Sequence, residues 1–118
     1  MKKETTPKLS MGLSSGGFNR FLKQGGGLDF RLNEVCWSAL EAGDVIEFLE
    51  DPNQERRYCV KILKLYKAAS FGELIDSLPG KLFDQSEKEA YLEFFSKWWS
   101  PESEAREGTM ALHIEVLT

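Results

Sequence analysis

Two periodicities share this chain, one of two residues and one of three to four. Alternation comes first: Leu9, Met11 and Leu13 are separated by small or polar residues, which predicts a short opening strand. A second strand is predicted over residues 28–32. Leu28, Phe30 and Leu32 point to one side of it, while Asp29 and Arg31 point to the other. Val45-Ile46-Glu47-Phe48-Leu49 is rich in β-formers, and the Glu50-Asp51-Pro52-Asn53 loop predicts a hairpin. The return strand runs from Arg57 to Tyr66. Its pattern shifts phase near Leu63, as a bulge or a segment buried on both faces would require. A last strand is predicted over residues 110–117, with Leu112, Ile114 and Val116 on one face and His113 and Glu115 on the other.

The longer period marks helices. Phe18, Phe21 and Leu22 recur at helical spacing after Ser14-Ser15-Gly16-Gly17, with Asn19, Arg20 and Lys23 outside and Gly25 as the stop. Ser70-Phe71-Gly72-Glu73 has the form of a capping box and predicts a short helix through Ile75. Ser86-Glu87-Lys88-Glu89 repeats that form ahead of Ala90, Tyr91, Phe94, Phe95 and Trp98, a stripe read chiefly as core. Pro101 opens a further helix at the first helical position, and Gly108 ends it. Residues 33–42 are irregular, with Trp37 and Leu40 as anchors. Short strands, hairpin chemistry and interspersed helices predict an α+β fold. A small mixed β-barrel of about five to six strands, with helices packed at its ends, meets these constraints.

Composition narrows the function classes. At 118 residues there is room for one core, so residues 8–118 are read as a single domain behind a disordered tail of residues 1–7. A net charge of -4 argues against a protein that holds duplex DNA mainly through phosphates, though it leaves room for a local basic cleft. No apolar run approaches the roughly 20 residues of a membrane helix, and the first residues carry no hydrophobic segment of signal-peptide type. A cytoplasmic chain without membrane contact, a monomer or weak dimer, is the expectation. Cys36 and Cys59 lack metal spacing, so no metal and no cofactor are expected.

The stretch with the most chemistry is Gly25-Gly26-Gly27-Leu28-Asp29-Phe30-Arg31. The glycines permit close backbone approach. Arg31 offers a planar fork suited to phosphate, carboxylate or a base edge. No P-loop lysine follows, and the glycines succeed a helix rather than a strand, the wrong context for a dinucleotide fingerprint. His113 is the lone histidine, and no catalytic triad is evident. Trp98 and Trp99 are adjacent at a helix end and cannot easily both face a core. One of them is a candidate for stacking on a planar ligand.

Four blocks together resemble the ASCH domain of the PUA-like superfamily, over residues 9–117. They are the helix of residues 18–23 with Gly25 and Asp29-Phe30-Arg31; Gly43-Asp44-Val45-Ile46-Glu47-Phe48; Tyr66 with Ser70-Phe71-Gly72-Glu73-Leu74; and Trp98-Trp99-Ser100-Pro101-Glu102 leading to Gly108 and the final strand. The resemblance implies a barrel with a cleft lined by the glycine–acid–arginine motif, and binding of RNA or a nucleoside-like molecule. It also implies, as an alternative, hydrolysis of N4-acetylcytidine-like nucleosides or of RNA. The family's motif lysine falls on Gly27 here, with a spacer one residue short; Lys23 is the nearest lysine, upstream of the glycines. Amide hydrolysis needs an activated nucleophile and a proton for the leaving amine, and a guanidinium two residues away makes Asp29 a poor base. Binding is therefore favoured over catalysis. The expected ligand-binding residues are Gly25, Gly26, Gly27, Asp29, Arg31, Trp98 and Trp99; Asp29 and Lys23 are the catalytic candidates if the chain is a hydrolase. A protein-interaction domain is the further alternative.

Overall fold

The structure, a computed structural model, describes residues 6–117. Most of the tail expected over residues 1–7 therefore lies outside the described residues; Thr6 and Pro7 belong to no regular element. The strands are β1 (Ser10–Leu13), β2 (Gly26–Leu32), β3 (Val45–Glu50), β4 (Arg57–Ala68) and β5 (Thr109–Leu117). The helices are α1 (Ser15–Gln24), α2 (Phe71–Asp76), α3 (Lys88–Ser96) and α4 (Pro101–Glu107). The strands form one sheet in the order β1-β3-β4-β5-β2. It is mixed: β1 runs parallel to β3, and β3 runs antiparallel to β4. The fold is α+β with a small, mixed, barrel-type sheet, as the pattern predicts. Among the described residues, no helix is long and apolar enough to cross a membrane.

The chain folds as two compact units. One comprises the segment ending at Gly27, Glu41–Lys64 and the segment starting at His113. Its core holds Met11, Phe18, Phe21, Ile46, Phe48, Val60, Ile62 and Ile114, all essentially inaccessible. Helix α1 starts where Ser14 accepts a hydrogen bond from the Gly17 N–H, and Gly25 ends it in the left-handed region with φ 80°. The rings of Phe18 and Phe21 then reach Tyr58 at 4.5 Å and Phe48 at 6.0 Å between centroids. The Tyr58 hydroxyl donates to the Phe18 carbonyl at 2.7 Å, so the polar end of a half-buried ring is satisfied. The shift of phase expected near Leu63 has a simple cause. Val60 and Ile62 are buried on alternate positions, and Leu63 is an apolar residue left exposed on the other face.

The other unit comprises Leu28–Leu40 and Leu65–Leu112. Its core gathers Leu32, Phe71, Leu74, Ile75, Leu78, Phe83, Phe95 and Ala111, with Leu28, Phe30, Tyr66 and Trp99 packed against it. Ser70 caps α2 by accepting from the Glu73 N–H at 3.2 Å, as the capping-box form predicts. The second capping box does not form. Asp84, not Ser86, takes the cap of a short 3-10 turn, Gln85–Glu87, accepting from the Ser86 N–H at 3.0 Å and the Ser86 hydroxyl at 2.7 Å. Those hydrogen bonds hold the exposed Asp84 carboxyl below its ordinary range. Helix α3, which follows, has Glu87 at its N-cap and no side-chain cap hydrogen bond.

Candidate functional site

Strand β2 alternates as expected. Leu28, Phe30 and Leu32 turn into the core of their unit, and Phe30 meets Phe95 at 5.1 Å, Tyr91 at 5.9 Å and Phe83 at 6.2 Å. Asp29 and Arg31 therefore share the opposite face. They pair there: the Arg31 Nε donates to Asp29 Oδ2 at 2.5 Å. Neither side chain is in open water, with 15% of Arg31 and 9% of Asp29 exposed. Desolvation opposes the burial of either charge alone, and mutual pairing offsets that cost.

Trp37 completes this face. The Arg31 guanidinium carbon lies 5.5 Å from the centre of the Trp37 ring, within cation–π range. The sequence places Trp37 in an irregular segment, and the structure shows what fixes it there. Its indole N–H donates to Glu34 Oε1 at 3.3 Å, and its backbone N–H donates to the Glu34 carbonyl at 2.9 Å. Leu40, which is buried, donates its N–H back to the Trp37 carbonyl at 3.0 Å. Lys67 Nζ donates to the Ser38 carbonyl at 3.3 Å and ties the same turn to β4. Asn33 lies just beyond β2, and its N–H donates to the Gly108 carbonyl at 3.0 Å.

The other expected ligand-binding residues are placed as follows. Trp99 is half-buried against Phe71 at 5.1 Å and Phe95 at 5.8 Å, in the aromatic cluster that covers the Phe30 face of β2. Trp98 is 67% exposed and touches Phe94 at 6.1 Å. The pair splits, one ring in and one out, and the inner ring, Trp99, belongs to the cluster on the Phe30 face of β2 rather than the Asp29–Arg31 face. Lys23 is exposed on the last turn of α1.

Gly25, Gly26 and Gly27 belong to the unit containing α1. Gly25 donates to the Phe21 carbonyl at 2.8 Å and accepts from the Val116 N–H at 2.9 Å. A side chain at Gly26 would run into the Ile114 carbonyl oxygen, and one at Gly27 would come within 2.9 Å of the Phe21 ring. These glycines let β2 leave α1 and lie directly on β5. They also border an open hollow of about 360 Å³, shared with Leu63, His113 and Glu115. Among the described residues, no group of three or more His, Cys, Asp or Glu side chains is placed to hold a metal ion.

Sequence reasoning names Trp37 only as an anchor. Trp37 carries no strand-phase signal, because a turn rather than a strand brings it to Arg31.

No protein-family model matches this chain, and no curated protein matches it. Two solved structures share its fold. The crystal structure of hypothetical protein PH0355 superimposes with a TM-score of 0.72 at 20% identity, covering 92% of this chain and 98% of that one. The solution structure of protein PF0455 from Pyrococcus furiosus gives 0.63 at 22% identity, covering 92% and 96%. Both likenesses concern the path of the backbone.

Proposed function

We propose that the chain is an RNA- or nucleoside-binding module of ASCH type, whose ligand is taken by Asp29 and Arg31. The observation that carries this reading is the guanidinium of Arg31, held in one orientation by Asp29 on one side and accompanied by the Trp37 ring. A fixed planar fork beside an aromatic ring is suited to the edge of a base or to a phosphate. A hydrolytic role on N4-acetylcytidine-like nucleosides or on RNA would need a free general base, and the Asp29 carboxylate is engaged by Arg31. Binding is for that reason the reading we take.

One specific feature favours a second reading, a protein-interaction surface: Tyr91, Phe94 and Trp98 lie exposed at helical spacing on and just after α3. Titration of tryptophan fluorescence with short RNAs and free nucleosides separates the two. The binding-module reading expects a response that is lost in Trp37→Phe and weakened about tenfold or more in Arg31→Ala, in line with the 1–3 kcal/mol of a good base-edge contact. A wild-type protein silent to the whole panel by fluorescence and by calorimetry overturns it.

A further inference from the structure

Charge is spread unevenly along this chain. From Asp84, which caps the 3-10 turn, to Glu107 at the end of α4, residues 84–107 hold seven carboxylates against three cations. That balance of -4 equals the formal charge of the whole protein, so the remaining residues carry none on balance. Two of the three cations are engaged locally, Lys88 with Asp76 at 2.7 Å and Arg106 with Glu107 at 2.8 Å. Glu87, Glu89, Glu93 and Glu102 are exposed and form no ion pair with any described residue.

The same segment carries the most exposed aromatic rings among the described residues. Phe94 is 53% exposed and Trp98 67%, with 6.1 Å between their centroids. Both are anchored. Trp98 and Trp99 each donate a backbone N–H to the Phe95 carbonyl at 2.9 Å, and Phe95, itself buried, meets the Phe94 ring at 6.2 Å. Along α3, Ala90 and Phe94 lie in one row at four-residue spacing that continues to Trp98. Glu89 and Glu93 lie in the row beside it, which ends on Lys97.

We propose that this face of α3 docks a cationic, amphipathic segment of another protein, whose apolar side chains lie on Phe94 and Trp98 and whose lysines or arginines meet Glu89 and Glu93. The proposal rests on the interaction reading of this surface, and not on ligand binding at Asp29 and Arg31. Charge decides the occupant. A second copy of the chain would bring a further -4 to the contact, and the phosphates of RNA or of an anionic membrane would meet carboxylates. A cationic segment gains on both counts. Its apolar side chains cover rings that water otherwise wets, and its charges offset two glutamates that repel each other one turn apart. Aromatic anchors held by the backbone also lose little freedom on binding.

The test uses the whole protein and a synthetic helix-forming peptide of about 15 residues, leucine on one face and lysine on the other, with a leucine–glutamate peptide of the same pattern as control. Binding is followed by calorimetry for the wild type, Trp98→Ala, the Glu89→Lys/Glu93→Lys double variant and Leu22→Ala, and each protein is melted in parallel. The wild type is expected to bind the lysine peptide and not the glutamate one, more weakly as salt rises. Trp98→Ala and the double variant should each weaken that binding about tenfold, the loss typical of a central anchor, with unchanged Tm. Leu22→Ala, an exposed apolar position in the other unit, should bind as the wild type does. The double variant, altered only at exposed side chains, carries the test if Trp98→Ala lowers the Tm. Absence of binding to either peptide, or binding that neither variant weakens, overturns the proposal together with the interaction reading of this face. Binding of the glutamate peptide that Trp98→Ala removes overturns the cationic partner and leaves that reading standing. Self-association, or binding of RNA or phosphatidylcholine vesicles, that is lost in Trp98→Ala gives the face a different occupant and likewise overturns the proposal.

Discussion

The two units solve the same packing problem with different results. In the unit built on α1, the aromatic rings stay inside or half-inside, and the exposed apolar residues are single aliphatics, Leu22 and Leu63. In the other unit the rings continue to the surface: Phe71 and Phe95 are buried, Trp99 is half-buried, and Phe94 and Trp98 are open to water. The second unit also carries the buried ion pair. The difference separates a unit whose rings are all covered from one whose aromatic cluster reaches the surface.

The largest expected effect comes from breaking the frame. Phe48→Ala, at a site with no exposure, should cost about 3–5 kcal/mol in urea unfolding, the usual range for a fully buried phenylalanine. Trp98→Ala, despite the larger side chain removed, should stay within about 0.5 kcal/mol, since exposed positions outside such features rarely move stability. Equal losses at the two sites would erase the contrast.

Next comes the ion pair. Arg31→Ala leaves a nearly buried carboxylate with its principal donor gone, and about 1.5–3 kcal/mol is expected from losing a charged hydrogen bond. Asp29→Asn combined with Arg31→Met should recover most of that loss while leaving binding abolished, because the penalty comes from an uncompensated charge. Gly26→Ala tests the frame at its tightest backbone approach. The clash with the Ile114 carbonyl and φ 152° together should cost about 1–3 kcal/mol, read as a lower midpoint with an unchanged slope.

The smallest effect is chemical. Cys36 is exposed, whereas burial first and the Glu47 charge second push the Cys59 thiol up from its ordinary value. Iodoacetamide at neutral pH should therefore label Cys36 well before Cys59, because the thiolate is the reactive form. Equal labelling rates followed by mass spectrometry would mean that β4 opens readily.

The frame was legible in advance because its signals are local. The Leu28–Phe30–Leu32 alternation, the Ser70 cap and the Gly25 stop each depend on neighbours a few residues away, and each appears where expected. Failures came from competition or from distance. At Ser86 the hydroxyl is drawn upstream as a donor to Asp84, and α3 starts with no side-chain cap. The phase shift read near Leu63 arose because hydropathy alone does not say which apolar residue stays wet. That Asp29 and Arg31 share a face followed from strand phase, and the structure adds that they pair there. Trp37 could not be placed in the same way, since a turn fixed by Glu34, Leu40 and Lys67 sets its position.

The Asp29–Arg31 contact also bears on how any binding should respond to ionic strength. A guanidinium already matched by a carboxylate attracts few counter-ions, so few are set free when a ligand arrives. Where a protein making many phosphate contacts loses about 10³–10⁵ in affinity between 50 and 200 mM salt, this one should lose far less, with a nearly level plot of log affinity against log salt. Such flatness would mark recognition through shape and hydrogen bonds, consistent with a chain whose formal charge is -4.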